Sequence, residues 1–251
     1  MAGVTQTDFG VVYLRGLRGE CPADPPNTTI TSGPGALTNN RRPAFGLAAS
    51  EAATFRCSVD GAAASSCASG FQPATLADGP HTLSAAATDA AGYVDASPAT
   101  RSFTVDGTVP VISKLKATPS RFRVSTLRRR AKRSASVKLG TTISFTLSEP
   151  ASATVTVLRE LPGRKAGKRC VEPRKGRKVK RSVRCTRLVR VGVVKRAGAR
   201  AGANSVKLSR RLGNKTLTPG AYRLTVDGRD LAGNAARQRT IRMTVLKPRG
   251  R

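Results

Sequence analysis

Alternating apolar and polar residues mark the strands of this chain. Apolar residues occupy every second position between Tyr222 and Gly228, and again between Thr240 and Val245. A period of two is typical of antiparallel strands that bury one face. The intervening segment 230–234, DLAGN, begins with Asp and ends with Gly-Asn, where a positive φ is tolerated. The pattern therefore predicts a β-hairpin.

The same hairpin occurs twice in the chain. Residues 76–105, LADGPHTLSAAATDAAGYVDASPATRSFTV, match residues 217–245, LTPGAYRLTVDGRDLAGNAARQRTIRMTV, with six identities at a spacing of 141 up to Gly92; after a one-residue gap, Thr104-Val105 matches Thr244-Val245. A repeat at this distance indicates two copies of one domain, because solenoid periods run about 20 to 50 residues. Ser50-Glu51 also parallels Ser148-Glu149, and the residues that follow (Ala53-Thr54 and Ala153-Thr154) predict a two-residue insertion in the second copy.

Seven or so short strands per domain, separated by turn residues, predict an immunoglobulin-like β-sandwich. We therefore expect an all-β fold of two tandem Ig-like, fibronectin III-like antiparallel sandwiches. The predicted boundaries are an irregular segment 1–24, a first sandwich 25–108 and a second sandwich 109–251 with a basic insertion at 159–187. Segments 32–43 and 61–73 are rich in turn residues or lack periodicity, and they predict loops.

Several phrases resemble the Ig-like and fibronectin type III-like modules of secreted and cell-surface proteins from high-GC bacteria. They are PPNTTITSGP, ATFRCSVDG, LADGPHTLSAAATDAAG and RSFTVDGTVP in the first domain, and TTISFTLSEPASATVTV, RAGARAGANSVKLSRRLGNKTLTPGAYRLTV and DLAGN in the second. Leu217–Tyr222 is similar to the tyrosine corner of such sandwiches, although it is one residue shorter. The resemblance implies that Tyr222 bonds backward to the backbone. His81 takes its place in the first copy.

Charge is distributed very unequally between the two halves. Residues 1–110 hold 6 basic and 9 acidic residues, a net of −3, whereas residues 111–251 hold 39 and 5, a net of +34; together these give the +31 of the whole chain. Such asymmetry indicates a polyanionic partner for the second half alone. No apolar run approaches the roughly 18 residues of a membrane span, so no transmembrane segment is expected.

The basic insertion 159–187 is the best candidate for a binding site, because it holds 13 Lys and Arg, two Glu and no aromatic residue. The stretch 121–138 adds eight basic residues. Without aromatic residues between Phe145 and Tyr222, stacking on single-stranded bases is not expected, so any binding is non-specific. The alternative is a solvated charged loop. The residues predicted to contact polyanions are Arg164, Lys165, Lys168, Arg169, Arg174, Lys175, Arg177, Lys178, Lys180 and Arg181.

Two cysteine pairs predict disulfides within the domains. Cys57 and Cys67 are ten residues apart, Cys170 and Cys185 fifteen, and neither spacing is that of a zinc knuckle. A Cys170–Cys185 bond would pin the basic loop and make it a hairpin. The alternative is free thiols in a cytosolic chain. Cys21 has no evident partner in this sequence.

Catalytic chemistry is not expected. His81 is the only histidine, so no Ser-His-Asp, Cys-His or multi-histidine metal arrangement can be built, and we interpret it as a satisfied corner residue. The aspartates at strand ends are typical of backbone caps. A calcium site from Asp89 and Asp95, or from Asp227, Asp230 and Asn234, is the weaker interpretation, since these residues lack EF-hand spacing. No cofactor and no metal are predicted.

The cysteine pairs favour an oxidising compartment, whereas residues 1–20 lack the features of a secretory signal. We therefore expect an extracellular or cell-envelope protein whose true start lies upstream of Met1. The predicted function is that of a non-enzymatic, monomeric module protein whose basic second domain binds anionic polymers such as cell-wall polymer, acidic polysaccharide or DNA. Two alternatives stay open: a structural spacer of a larger secreted protein, and an intracellular nucleic-acid-binding protein.

Overall fold

The computed structural model of the protein describes residues 24–123, 140–174, 176, 180, 183–209 and 211–247. These residues form strands and connecting turns, with no α-helix, so the fold is all-β. None of the described residues therefore forms a helix able to cross a membrane. Three predictions fall wholly or partly outside the described residues: the N-terminal segment up to residue 23, with Cys21; positions 124–138 of the basic stretch; and four of the predicted polyanion contacts.

Strands β1 to β7 cover the first part of the chain. They are β1 Thr28–Ser32, β2 Leu37–Thr38, β3 Gly46–Ala49, β4 Ala53–Val59, β5 Ser65–Cys67, β6 Gly79–Asp89 and β7 Ala99–Val105. Strands β1 and β3 form an antiparallel pair, and the others form a five-stranded sheet in the order β2-β7-β6-β4-β5.

Strands β8 to β18 follow. They are β8 Ile112–Thr118, β9 Arg121–Arg123, β10 Gly140–Leu147, β11 Ala151–Ala166, β12 Arg169–Val171, β13 Arg184–Ala199, β14 Gly202–Ser209, β15 Arg211–Leu212, β16 Lys215–Thr216, β17 Gly220–Arg229 and β18 Arg239–Leu246. One sheet has the order β14-β10-β8. The other has the order β12-β11-β17-β18-β9, with β13 paired to the opposite edge of β11, and β15 pairs with β16.

The chain folds into two compact units. The second contains Phe103–Arg251 together with Pro34–Arg42 and Ala74–Pro80, and the first contains the remaining residues up to Ser102. The predicted boundaries at residues 25 and 109 remain predictions. In the structure, Pro34–Arg42 and Ala74–Pro80 group with the second unit instead of with the first predicted domain.

The core of the second unit lies between its two sheets. Alternate residues of β10 and β14 face alternate residues of β11, β17 and β18, and the exposed fraction of each is below 8%. Burial of this kind stabilises each large side chain by about 1.5 to 3 kcal/mol. The central members are Ile143, Phe145, Leu147, Val155, Val157, Val206, Leu208, Leu224, Val226 and Met243.

Tyr222 makes the backward hydrogen bond that the tyrosine-corner resemblance implies. Its hydroxyl donates to the Thr218 carbonyl over 2.7 Å and accepts from the Thr218 amide over 3.0 Å. The side chain is 1% exposed, so both polar bonds are made inside the core, where an unsatisfied hydroxyl is costly. This contact fixes the start of β17.

The two hairpins share hydrogen bonds as well as sequence. The Tyr93 amide donates to Asp89 Oδ1 in the first copy and the Asn234 amide donates to Asp230 Oδ1 in the second, both over 2.8 Å. The backbones of the same pairs bond over 3.1 and 3.2 Å. Both aspartates therefore act as turn caps, as interpreted from the sequence.

The two-residue insertion predicted after Ser148-Glu149 is wrong. Val59 pairs with Leu83, and Val157 pairs with Leu224, so the strands of the two copies keep one constant register from the Ser-Glu pair onward. The identical Ala53-Thr54 and Ala153-Thr154 pairs are therefore not structurally equivalent. The face on which each residue lies fixes the register, since a slip moves apolar side chains out of the core.

The copies diverge where β4 ends. Asp60 and Gly61 both have positive φ, 56° and 72°, the geometry of a tight hairpin turn. In the second copy the chain continues straight, so β11 extends to Ala166 and the first eight residues of the segment predicted as a loop are strand. Strands β2 and β5 also lie in segments predicted as loops, because two or three residues are too few to show a period.

Candidate polyanion interface

A long β-hairpin carries the basic insertion. Strands β11 and β13 are each 16 residues long and pair from Ala151↔Ala199 to Arg164↔Arg184. On its other edge β11 pairs with β17 only as far as Arg159↔Tyr222. The hairpin therefore extends beyond the sheet of the sandwich, and a projecting element of this kind is accessible to large partners.

A disulfide ties the projecting part together. Strand β12 pairs with residues 164–166 of β11, and β13 pairs with β11 as far as Arg164. Cys170 on β12 and Cys185 on β13 therefore lie beside the same end of β11 and form a disulfide, with their Cα atoms 6.0 Å apart. The bond passes directly over Gly163, where a Cβ atom would collide with the Cys170 sulfur. A closed loop of this length stabilises the folded state by about 3 kcal/mol.

The other cysteine pair is also bonded. Cys57 on β4 and Cys67 on β5 form a disulfide with a Cα separation of 5.8 Å. Strands β4 and β5 are adjacent, with Phe55 paired to Cys67 and Cys57 paired to Ser65. This bond links a short strand to the sheet, whereas the Cys170–Cys185 bond links β12 to β13.

The predicted polyanion contacts that the structure describes lie along the hairpin and its connection. Arg164 is half-buried on β11, and its Nε has neither solvent access nor a partner among the described residues. Five others are exposed: Lys165, Lys168, Arg169, Arg174 and Lys180. The remaining four, Lys175, Arg177, Lys178 and Arg181, lie outside the described residues.

A second group of arginines lies on the sheet face that points away from the core, and it was not predicted from the sequence. The register places Arg190, Leu158, Arg223 and Arg242 side by side on β13, β11, β17 and β18. Neighbouring strands are about 4.8 Å apart, so the row spans four strands. We call these four residues the arginine row.

The repeat offered a signal for this row. Arg223 and Arg242 occupy the positions of Thr82 and Ser102 in the first copy, whose hydroxyls bond to each other over 3.0 Å. A neutral cross-strand pair has thus become a pair of like charges, which is destabilising unless something separates them. Glu160 does so: its Oε1 accepts from the Nε of Arg223 and from that of Arg242, each over 3.2 Å.

His81 occupies a structural position. Its Nδ1 lies 2.6 Å from Asp60 Oδ2, and its side chain is 10% exposed. Partial burial opposes ionisation of Asp60, but hydrogen bonds from His81 and the Thr82 amide outweigh it and hold the pKa of Asp60 below its ordinary value. The pair closes the turn that ends β4, consistent with the interpretation of His81 as a corner residue.

Asp95 is buried, with 4% exposure, more than any other described aspartate of the first unit. Its two oxygens accept from the Thr28 amide, the Ser97 amide and the Ser97 hydroxyl over 2.8 to 3.0 Å. Hydrogen bonding from Thr28 is the main reason that the pKa of Asp95 lies below its ordinary value. The side chain holds β1 in place, so a role in the Asp89–Asp95 calcium site is not needed to explain it.

Three carboxylates that could hold a cation meet within the second unit. One oxygen each of Asp106, Glu149 and Asp230 lies within 4.8 Å of the other two. Glu149 Oε1 is buried without a hydrogen-bond partner among the described residues. Burial, and then the negative charges of Asp106, Asp230 and Asp78, raises the pKa of Glu149. The cluster includes Asp230 of the weaker calcium interpretation but not Asp227.

Comparison with known proteins gives distant structural likenesses only. No family model matches the sequence, and no curated protein matches it. The chain is similar to fibronectin(III)-like modules of Clostridium thermocellum CbhA (14% identity, TM-score 0.42, 88% of this chain and 95% of that one). It is also similar to a 1.5-MDa bacterial ice-binding adhesin (14%, 0.37, 89% and 65%) and to a tetra-tandem repeat of a large adhesion protein (14%, 0.32, 88% and 49%).

Proposed function

We propose that the chain is a non-enzymatic module protein of the cell surface or extracellular space, and that its basic second unit binds anionic polymers without sequence specificity. The projecting hairpin is the binding element. The observation that carries this proposal is the placement of charge: five of the predicted contacts are exposed on one disulfide-tied hairpin. Clustered cations bind polyanions because binding releases condensed counterions.

The extracellular placement rests on the two disulfides, since such bonds persist in oxidising compartments and are rare in the cytosol. The same observation favours this proposal over an intracellular nucleic-acid-binding protein. The charge asymmetry favours it over a plain spacer, because a spacer needs no excess of cations on one projecting element.

Neutralising exposed cations of the hairpin tests the proposal. We expect the variant Lys165→Gln, Lys168→Gln, Arg169→Gln and Arg174→Gln to elute from immobilised heparin and from immobilised duplex DNA at clearly lower salt than the natural protein. Its slope of log affinity for DNA against log salt should become shallower by up to about 0.9 for each phosphate that the protein no longer neutralises.

The control removes the same charge elsewhere. Lys114, Lys116, Lys207 and Arg211 are exposed on β8, β14 and β15, and their replacement by Gln should change elution much less. Equal elution of the two variants would contradict the hairpin as the binding element. Elution of both like the natural protein would contradict polyanion binding through these residues altogether.

A further inference from the structure

The outward face of the large sheet has a charge pattern that its fold does not require. The arginine row places three guanidinium groups across four neighbouring strands. Core packing involves the opposite face of these strands, where Val155, Val157 and Leu224 are completely buried. The row therefore contributes nothing to the core, and like charges placed opposite each other on a sheet are destabilising.

The contacts of Glu160 show that arginines of this face can bind an anionic oxygen. A single carboxylate oxygen accepts hydrogen bonds from Arg223 Nε and Arg242 Nε at the same distance, 3.2 Å. Among the described residues, no other acceptor binds either guanidinium, so each keeps terminal N–H groups for further anionic oxygens. Charge-assisted bonds of this type are about twice as strong as neutral ones, and the fixed guanidinium fork suits phosphate well.

The surroundings extend the row toward the hairpin. The β11–β17 ladder ends at Arg159, so among the described residues no strand pairs with residues 160–163 on the β17 edge of β11. A shallow depression of about 540 Å³ lies there, lined among others by Glu160, Pro162, Arg184 and Ala221. Glu160, which binds two arginines of the row, and Arg184 of the hairpin therefore line the same depression.

The chemistry of the face selects among anionic polymers. No Phe, Tyr or Trp occurs between Phe145 and Tyr222, and Tyr222 itself is buried on the core side. Bases are usually held by stacking on aromatic side chains, and this face has none to offer to bases or sugar rings. What it offers is charge and guanidinium forks, which fit a flexible polymer of repeated phosphate groups.

We propose that the arginine row, Arg190, Leu158, Arg223 and Arg242, is a second binding surface that takes phosphate groups of a phosphate polymer, continuous with the hairpin. This inference rests on the proposed function, since it assigns the same class of partner to a further surface. Glu160 is a positioning residue here: it keeps Arg223 and Arg242 apart and in place, and its charge competes with the polymer.

The test measures binding of linear inorganic polyphosphate at about 0.1 M salt. We expect the variant Arg190→Gln, Arg223→Gln and Arg242→Gln to bind about tenfold more weakly, with a shallower salt dependence. The control Lys116→Gln, Lys207→Gln and Arg211→Gln removes the same charge and should bind within about twofold of the natural protein. Because the row variant removes both partners of Glu160, a second version also carries Glu160→Gln. Thermal unfolding of this version shows whether the sheet is intact.

Glu160→Gln alone separates competition from a purely structural role. Removing the competing carboxylate while retaining its shape should tighten polyphosphate binding by a few fold. Weaker binding by this variant, with unchanged thermal unfolding, would contradict the competing role.

The outcomes distinguish this inference from the proposed function. If the row variant binds like its control while the hairpin variant loses affinity, the arginine row is not a binding surface and the hairpin proposal stands. If the row variant loses affinity and the hairpin variant does not, the hairpin proposal fails alone. Polygalacturonate, a carboxylate polysaccharide, bound as tightly as polyphosphate would overturn the assignment to phosphate groups, and duplex DNA bound as tightly would overturn the assignment to a flexible polymer.

Discussion

Most acidic side chains of residues 111–251 have a defined local partner. Glu160 binds two arginines and Glu172 binds Arg187 over 3.1 Å. Asp230 caps its turn through the amides of Gly233 and Asn234. These pairs neutralise a few cations, but residues 111–251 hold 39 basic and only 5 acidic residues, so most of the positive charge is not offset. The large net charge of this part of the chain is therefore available to a partner.

Glu149 is an exception, because its neighbours are other carboxylates. Burial and the charges of Asp106, Asp230 and Asp78 raise its pKa in the folded protein. The folded state thus binds this proton more tightly than the unfolded state does. The resulting stability is fully present below the unfolded pKa of about 4.3 and is lost as pH rises through the raised folded pKa.

Glu149→Gln should consequently stabilise the protein at neutral pH, by on the order of 1 kcal/mol, because it removes one of the crowded charges. At pH 3 the difference should vanish, since the glutamate is then protonated. Chemical denaturation at both pH values measures the effect. A variant less stable than the natural protein at pH 7 would show that the carboxylate makes a favourable contact, such as a bound cation.

Among the strands, the Cys170–Cys185 bond makes the basic hairpin a fixed element. Strand β12 pairs with β11 through only three residues, too few to hold it without the bond. We expect Cys170→Ser with Cys185→Ser to lower stability by up to about 3 kcal/mol and to speed tryptic cleavage between residues 160 and 187. Cys57→Ser with Cys67→Ser is the matched control and should leave the rate of cleavage at those sites unchanged. Equal cleavage in both variants would show that the bond does not organise the hairpin.

The strands that the sequence predicted are the ones long enough to alternate. The hairpin β17–β18, its copy β6–β7 and the corner at Tyr222 follow from a period of two, a turn motif and one aromatic residue. Strands β2 and β5 have no such signal, since their position depends on partners distant in sequence. The continuation of β11 past Arg159 was missed for the same reason: only its pairing with β13 makes a charged segment a strand.

The arginine row also could not be predicted from the residue pattern of any single strand. Arg223 and Arg242 each occupy the polar positions of an ordinary alternating strand, and no pattern in either strand sets them apart. Their significance comes from the register that places them opposite each other and beside Glu160. The cation-rich insertion, in contrast, was evident from composition alone, because charge runs need no fold to be recognised.

For the molecule as a whole, the two copies of the repeat share a scaffold but differ in charge and in one hairpin. Both have the hairpin and the turn caps, but the first ends β4 at a tight turn where the second extends β11 into a basic hairpin. Residues 1–110 have a net charge of −3 and residues 111–251 a net charge of +34. Binding of anionic polymers should therefore be a property of residues 111–251.

The salt dependence of polyphosphate binding by the intact chain is the most direct test of electrostatic binding of anionic polymers. We predict that log affinity falls linearly and steeply with log salt concentration, with a slope that reflects several released counterions. Affinity that is absent at low salt, or that hardly changes as salt rises, would contradict electrostatic polymer binding as the function of the second unit.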